Sequence, residues 1–161
     1  MQHYQISKYK ELNQQTWSSI TDIGNIFEGI TLTWESYIHT ESLYIKLIKK
    51  FVSSNKCEFK VHSYLDLRDD SDPIELYREL KDLKKPIEIN SYLTESRIEE
   101  VSRYCLRDLM GIRLVTDDGT YITFGDDLYL RIGIDKNNHI NLNDIVPEGI
   151  YVKKIKHAPW E

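Results

Sequence analysis

Residues 111–134 read GIRLVTDDGTYITFGDDLYLRIGI, and the period of this stretch decides the fold class. GIRLVT and TYITF flank Asp117-Asp118-Gly119, a turn sequence that closes β-hairpins. After an interruption at Gly125-Asp126 the alternation resumes, with Leu128, Leu130, Ile132 and Ile134 on one side and Tyr129 and Arg131 on the other. Short connections between period-two segments give an antiparallel meander. With Ile122 and Phe124 on the core side, Tyr121, Thr123, Tyr129 and Arg131 share the opposite face.

Upstream the period changes to that of helices. Thr33 is a natural N-cap for the run WESYIHTESLYIKLIKKFV, which places Trp34, Tyr37, Ile38, Tyr44, Ile45, Ile48, Phe51 and Val52 on one broad apolar face. A strand is expected at 58–67, with Phe59, Val61, Ser63 and Leu65 on one side. Ser71-Asp72-Pro73 then opens a second helix carrying Ile74, Leu76, Tyr77, Leu80 and Leu83, stopped at Lys85-Pro86. An extended piece at 87–92 leads to Thr94, N-cap of a third helix over 95–109 with Ile98, Val101, Cys105 and Leu109 inward and Gly111 at its end. Residues 4–13 suggest a short helix and 17–23 a short strand or turn. A last strand, 149–155, edges the sheet behind Lys153, Lys154 and Lys156. Helices early and a meander late predict a single α+β domain over 1–161: about three helices packed on a mainly antiparallel sheet with a C-terminal β-meander.

The 161 residues carry 21 Lys and Arg against 26 Asp and Glu, a formal charge of −5. Residues 65–135 hold the deficit, with ten basic and seventeen acidic side chains. That balance is unlike a phosphate-binding footprint, so no nucleic-acid partner is expected. No run approaches the roughly 18 apolar residues of a membrane span. A polar N-terminus and two cysteines point to a reduced, cytoplasmic protein.

Catalytic signatures are absent from the sequence. Seven glycines form no phosphate loop, and Cys57, Cys105 and five histidines are too scattered for a zinc set. No catalytic residue, cofactor or metal is therefore expected. Asp117, Asp118, Asp126 and Asp127 would be oxygen ligands for a divalent cation if they converged, but turn preference accounts for them. Glu41 is the anomaly: it falls within an apolar helix stripe, where a carboxylate needs a partner such as a Tyr hydroxyl, or else serves as a cleft acid.

What remains is a surface. Tyr and Arg on the outer meander face are residue types that dominate binding energy, and the flanking acids would supply rim and steering. The expected partner-binding set is therefore Asp117, Asp118, Tyr121, Thr123, Asp126, Asp127, Tyr129 and Arg131. The stretches LTWESYIHTESLYIKLIKKF (32–51) and LMGIRLVTDDGTYITFGDDLYLRIG (109–133) resemble segments of small immunity proteins from bacterial polymorphic-toxin and contact-dependent growth inhibition systems. The resemblance implies a cytoplasmic, non-enzymatic inhibitor that binds a cognate toxin domain, often a basic nuclease, and blocks its active site. It carries over no individual residue. A monomer is the expected state. Two alternatives stand beside it: a small hydrolase or nuclease using Glu41 and the aspartates, and a non-enzymatic structural or adaptor subunit that self-associates through the Tyr-rich face.

Overall fold

The computed structural model describes residues 1–11 and 16–161. Its first element is a strand, β1 (Gln2–Ser7), where the sequence suggests a helix over 4–13; residues 12 and 13 of that span lie outside the described residues. The cause is non-local. Ile6 is fully buried, and the strand pairs along both edges with segments more than a hundred residues away, so its backbone polar groups are met by tertiary partners. Residues 20–22 form a 3-10 turn capped by Ser19, resolving the 17–23 segment as a turn. A separate two-stranded hairpin follows, β2 (Ile26–Phe27) and β3 (Ile30–Thr31).

Helix α1 (Trp34–Ser54) begins where its cap demands: Thr33 Oγ1 accepts from the Ser36 amide at 3.2 Å. Its inward face buries Tyr37, Tyr44, Ile45, Leu47, Ile48, Phe51 and Val52, with Glu41 among them. Strand β4 (Lys60–Asp66) starts with Phe59 and Val61 in the core, then its register shifts between Val61 and Ser63. This bulge flips the alternation, so Leu65 is 60% exposed instead of sharing the buried side with Phe59 and Val61.

The second expected helix does not form. Only a 3-10 turn, Ile74–Tyr77, follows Pro73, and Ile74 points into solvent. Asp72 does not cap it; its Oδ2 accepts from the Asp69 amide and the Tyr77 hydroxyl. The carbonyls of Leu76 and Arg78, which a helix would give to later amides, accept instead from Arg107 Nη1 at 2.9 and 2.7 Å. A tertiary donor thus outcompetes the local ladder.

Helix α2 (Glu95–Leu106) is capped by Thr94 as expected but stops well before Gly111. The stop is Asp108, left-handed at φ 58°, with its amide bonded to the Cys105 carbonyl and the Leu109 amide to the Tyr104 carbonyl. This is the Schellman pattern, with Asp in the position where Gly is usual. Gly111 lies within β5 (Met110–Val115), which continues into β6 (Tyr121–Phe124) and β7 (Leu130–Ile134), the anticipated meander. A short helix α3 (Leu142–Ile145), not foreseen from the sequence, precedes the edge strand β8 (Tyr151–Ile155).

The architecture is α+β: a six-stranded antiparallel sheet in the order β4-β5-β6-β7-β1-β8, with the small β2-β3 hairpin apart. Buried residues of all three helices, among them Tyr44, Ile48, Phe51, Val101 and Leu142, belong to one cluster with Ile6, Val61, Ile112, Leu114, Ile122, Leu130 and Ile132. Those strand residues define the inner face of the sheet. The helices therefore lie on one side; on the opposite face Trp160 covers Tyr121, and the remainder carries no helix.

Candidate functional site

The strand register orders the outer face into rows. Ser63, Arg113, Thr123, Arg131, Gln5 and Lys153 are successive cross-strand partners across all six strands. Each is exposed or half-exposed. Thr123, Tyr129 and Arg131 thus stand on the face that alternation assigned to them. Arg113, Gln5 and Lys153 join them through pairings that sequence reasoning missed. For Arg113 the signal was present, since it alternates with Ile112 and Leu114; for Gln5 and Lys153 none was.

Tyr121 corrects the expectation of an exposed binding tyrosine, because it is 2% exposed. Its ring lies over Gly133, where a Cβ would come within 1.9 Å of Tyr121 Cε1. Trp160 packs edge-on at 4.6 Å, and the His3 Nδ1 and Tyr121 hydroxyl are 2.9 Å apart. Burial pushes the Tyr121 hydroxyl up to about 12, with Glu161 adding to the shift. The Arg113 guanidinium sits 3.6 Å from the centre of the Trp160 ring. Tyr121 therefore supports the face from beneath, and Trp160 supplies the surface aromatic in its place.

On the other side of the polar row is a concavity of about 520 Å³ lined by Gln5, Ser7, Tyr9, Tyr129, Tyr151 and Lys153 among others. Tyr9 and Tyr129 are tilted against each other at 5.5 Å, and the Tyr9 hydroxyl donates to the Asp127 carbonyl at 3.0 Å. Tyr151 remains 41% exposed. Rigid tyrosines around a depression bury large area at small entropic cost, which suits a protein partner.

The four aspartates are exposed, but they do not gather. Asp117 and Asp118 lie in the β5–β6 turn and Asp126 and Asp127 in the β6–β7 turn, at opposite ends of β6. At about 3.3 Å per residue the two pairs are separated by roughly 15–20 Å, so they cannot share one cation. Asp118 Oδ1 accepts from the Thr120 amide at 3.0 Å and from the Thr116 hydroxyl, tying its own turn. Asp117 accepts from Lys60 Nζ at 2.8 Å, which holds its carboxyl below the usual range. Among the described residues no group of three His, Cys, Asp or Glu side chains is placed to hold a metal ion.

Glu41 is fully buried and fully partnered. Its oxygens accept from Arg107 Nε and Nη2 at 2.8 and 3.0 Å, from Arg103 Nη1 at 3.0 Å and from the Tyr37 hydroxyl at 2.9 Å. Each of its two oxygens accepts two hydrogen bonds, which leaves no free lone pair for a substrate. Its visible work is to join α1 to α2, and through Arg107 to the 76–78 turn. A cleft of about 380 Å³ next to it is lined by Arg103, Lys81 and Tyr104 but also by Glu79, Glu99 and Glu100, giving no preference for one sign of charge. Cys105 is buried with its thiol pushed up by desolvation, a core residue without thiolate chemistry. Among the described residues no helix is long and apolar enough to cross a membrane. In comparison with known proteins, no protein family, no curated protein and no solved structure matches this chain.

Proposed function

We propose that this chain is an immunity-type inhibitor acting in the cytoplasm: it binds a toxin domain, such as a nuclease, across the helix-free face of its sheet and neutralises it by occluding the active site. The observation that carries this reading is the one-sided architecture. All helices pack on one face, and the other presents Arg131, Lys153, Tyr129, Tyr151 and Trp160 on a rigid six-stranded platform. Six strands at about 4.8 Å and five or six residues at about 3.3 Å span roughly 25 by 20 Å. With side-chain relief and the acidic turns at both ends, that approaches the ~800 Å² one partner contributes to a standard interface. The fully engaged Glu41 carboxylate weighs against the hydrolase alternative.

The test is protection. If a large secreted protein is encoded next to this chain, as the reading requires, its C-terminal domain is expressed with and without the chain. Growth is expected only with co-expression, together with a one-to-one complex on sizing. Tyr129→Ala with Tyr151→Ala is expected to weaken the complex at least tenfold while leaving the fold intact. Killing that continues despite soluble inhibitor, with no complex formed, overturns the reading; a purified chain that elutes as a dimer through this face supports the adaptor alternative instead.

A further inference from the structure

Resting on that reading, we propose that the surface this face covers is acidic at its centre and basic at its margins, the reverse of the uniformly basic partner that net charge alone suggests. The polar row puts Arg113, Arg131 and Lys153 on alternate strands, with only Thr123 and Gln5 between them. Neighbouring strands are about 4.8 Å apart, so consecutive cations stand roughly 10 Å from one another. The row contains no carboxylate. None of the three cations makes an ion pair among the described residues, although Lys49, Lys60, Arg68, Arg97, Arg103 and Arg107 all do.

Unpaired like charges in line repel one another, and a folded chain gains nothing from them unless a counter-charge arrives. Arg113 is already fixed against the Trp160 ring, and its Nε is enclosed with no hydrogen-bond partner among the described residues. Carboxylates suit the spacing and the forked geometry of arginine.

The margins decide between a protein and a nucleic acid. Asp126 and Asp127 fence one end of the strands, Asp117 and Asp118 the other, and the whole chain is at −5. A polyanion lying along the strands meets the carboxylates of the end turns on either side of the row, whereas a compact acidic patch set in a basic surround meets attraction at both centre and rim. Carboxylates that hold a divalent metal, bordered by phosphate-binding Lys and Arg, have this layout in metal-dependent nucleases. Cations placed on those carboxylates would block the metal and the substrate together.

The probe is an N-acetylated, C-amidated pentapeptide of alternating Glu and Asp, titrated into the isotope-labelled 161-residue chain and followed by amide NMR shifts. Shifts are expected to concentrate around Arg131, Gln5 and Lys153. Raising salt from about 20 to 200 mM should weaken binding roughly tenfold, as the Debye length shrinks. Arg131→Glu with Lys153→Glu should remove the shifts, and the neutral pair Arg131→Gln with Lys153→Gln, which spares the fold if reversal does not, should weaken them at least tenfold. No shifts at the row, or equal shifts at the exposed Lys46, Lys49 and Lys50 of α1, overturn the proposal. So does a decathymidylate that binds the row more tightly than the peptide, which would make the ligand a nucleic acid. The two readings fail separately: a row variant that loses peptide binding yet still protects cells refutes the acidic patch alone, and a wild-type chain that never protects refutes the inhibitor.

Discussion

Replacing Glu41 by Gln keeps the shape of the side chain and removes its charge, so it isolates what the buried carboxylate does. In the native chain Glu41 is 0% exposed and Arg107 3% exposed, so neither charge is solvated by water. Glu41→Gln leaves the Arg107 guanidinium buried without a counter-charge and turns an amide NH₂ towards donors on Arg107, Arg103 or Tyr37. Breaking one half of such a pair costs about 3–5 kcal/mol, against a total of roughly 5–15 kcal/mol for a domain. With a urea slope of about 2 kcal/mol per molar, the midpoint should fall by roughly 1.5–2.5 M. The loss should also be local. Arg107 Nη1 holds the carbonyls of Leu76 and Arg78, so amide exchange across residues 76–80 is expected to accelerate beyond the global change. A double-mutant cycle with Arg107→Gln should show the two changes to be strongly non-additive, the double variant losing much less than the two singles together. Two results would refute this account: a midpoint within about 0.5 M of wild type, or additive single effects.

Other sites give sharper local readings. Gly133→Ala forces a methyl into the Tyr121 ring; overpacking of this kind should cost about 1–3 kcal/mol and change the near-ultraviolet dichroism of Tyr121 and Trp160, and an unperturbed spectrum would contradict the close approach. Trp160→Ala removes the edge contact to Tyr121 and the stack on Arg113, costing about 0.5–1.5 kcal/mol, with the Tyr121 hydroxyl titrating below its present value near 12. Asp108→Asn should stabilise the chain by about 0.5 kcal/mol, since Asn suits the left-handed cap at least as well and is uncharged beside Asp126 and Asp127. Burial, with those two carboxylates adding to it, pushes the Asp108 carboxyl up to about 6. The native state therefore holds this proton more tightly than the unfolded chain, and wild-type stability gains as pH falls from about 6 towards the ordinary value of 3.8. The advantage of Asn should be fullest above pH 6 and fade over that window, shallowly because Asp108 is exposed to solvent; a gap between the two proteins that does not change with pH would refute it.

The parts of this fold that were legible in the sequence are those whose partners are near in the chain. The β5–β6 turn, the caps at Thr33 and Thr94 and the stripe of α1 each depend on residues within a few positions, and local chemistry determines them. The failures share one cause. β1 is a strand because β7 and β8 are there to receive it; 74–83 is not a helix because Arg107 claims its carbonyls; β4 turns Leu65 outward because of a bulge opposite β5. In each case a partner distant in sequence overrides a reasonable local pattern.

The same distinction governs the candidate site and changes its meaning. Counted along the chain, the acids of 65–135 suggest a negative face; placed in the fold, Glu95, Glu99 and Glu100 stand on α2, seven more lie between residues 69 and 88, and the four that border the sheet face, Asp117, Asp118, Asp126 and Asp127, sit in its end turns, while its middle is occupied by cations from β5, β7 and β8. Charge summed over sequence is blind to this because the turns, where Asp is favoured, and the strand centres, where long Arg and Lys stems cover the sheet, are sorted by different local rules. Electrostatic recognition acts over about one Debye length, near 8–10 Å, which is shorter than the sheet face is long. A partner docked here would therefore feel the arrangement of charges rather than their sum, and the sign of −5 says less about what binds than the alternation of Arg113, Arg131 and Lys153 does.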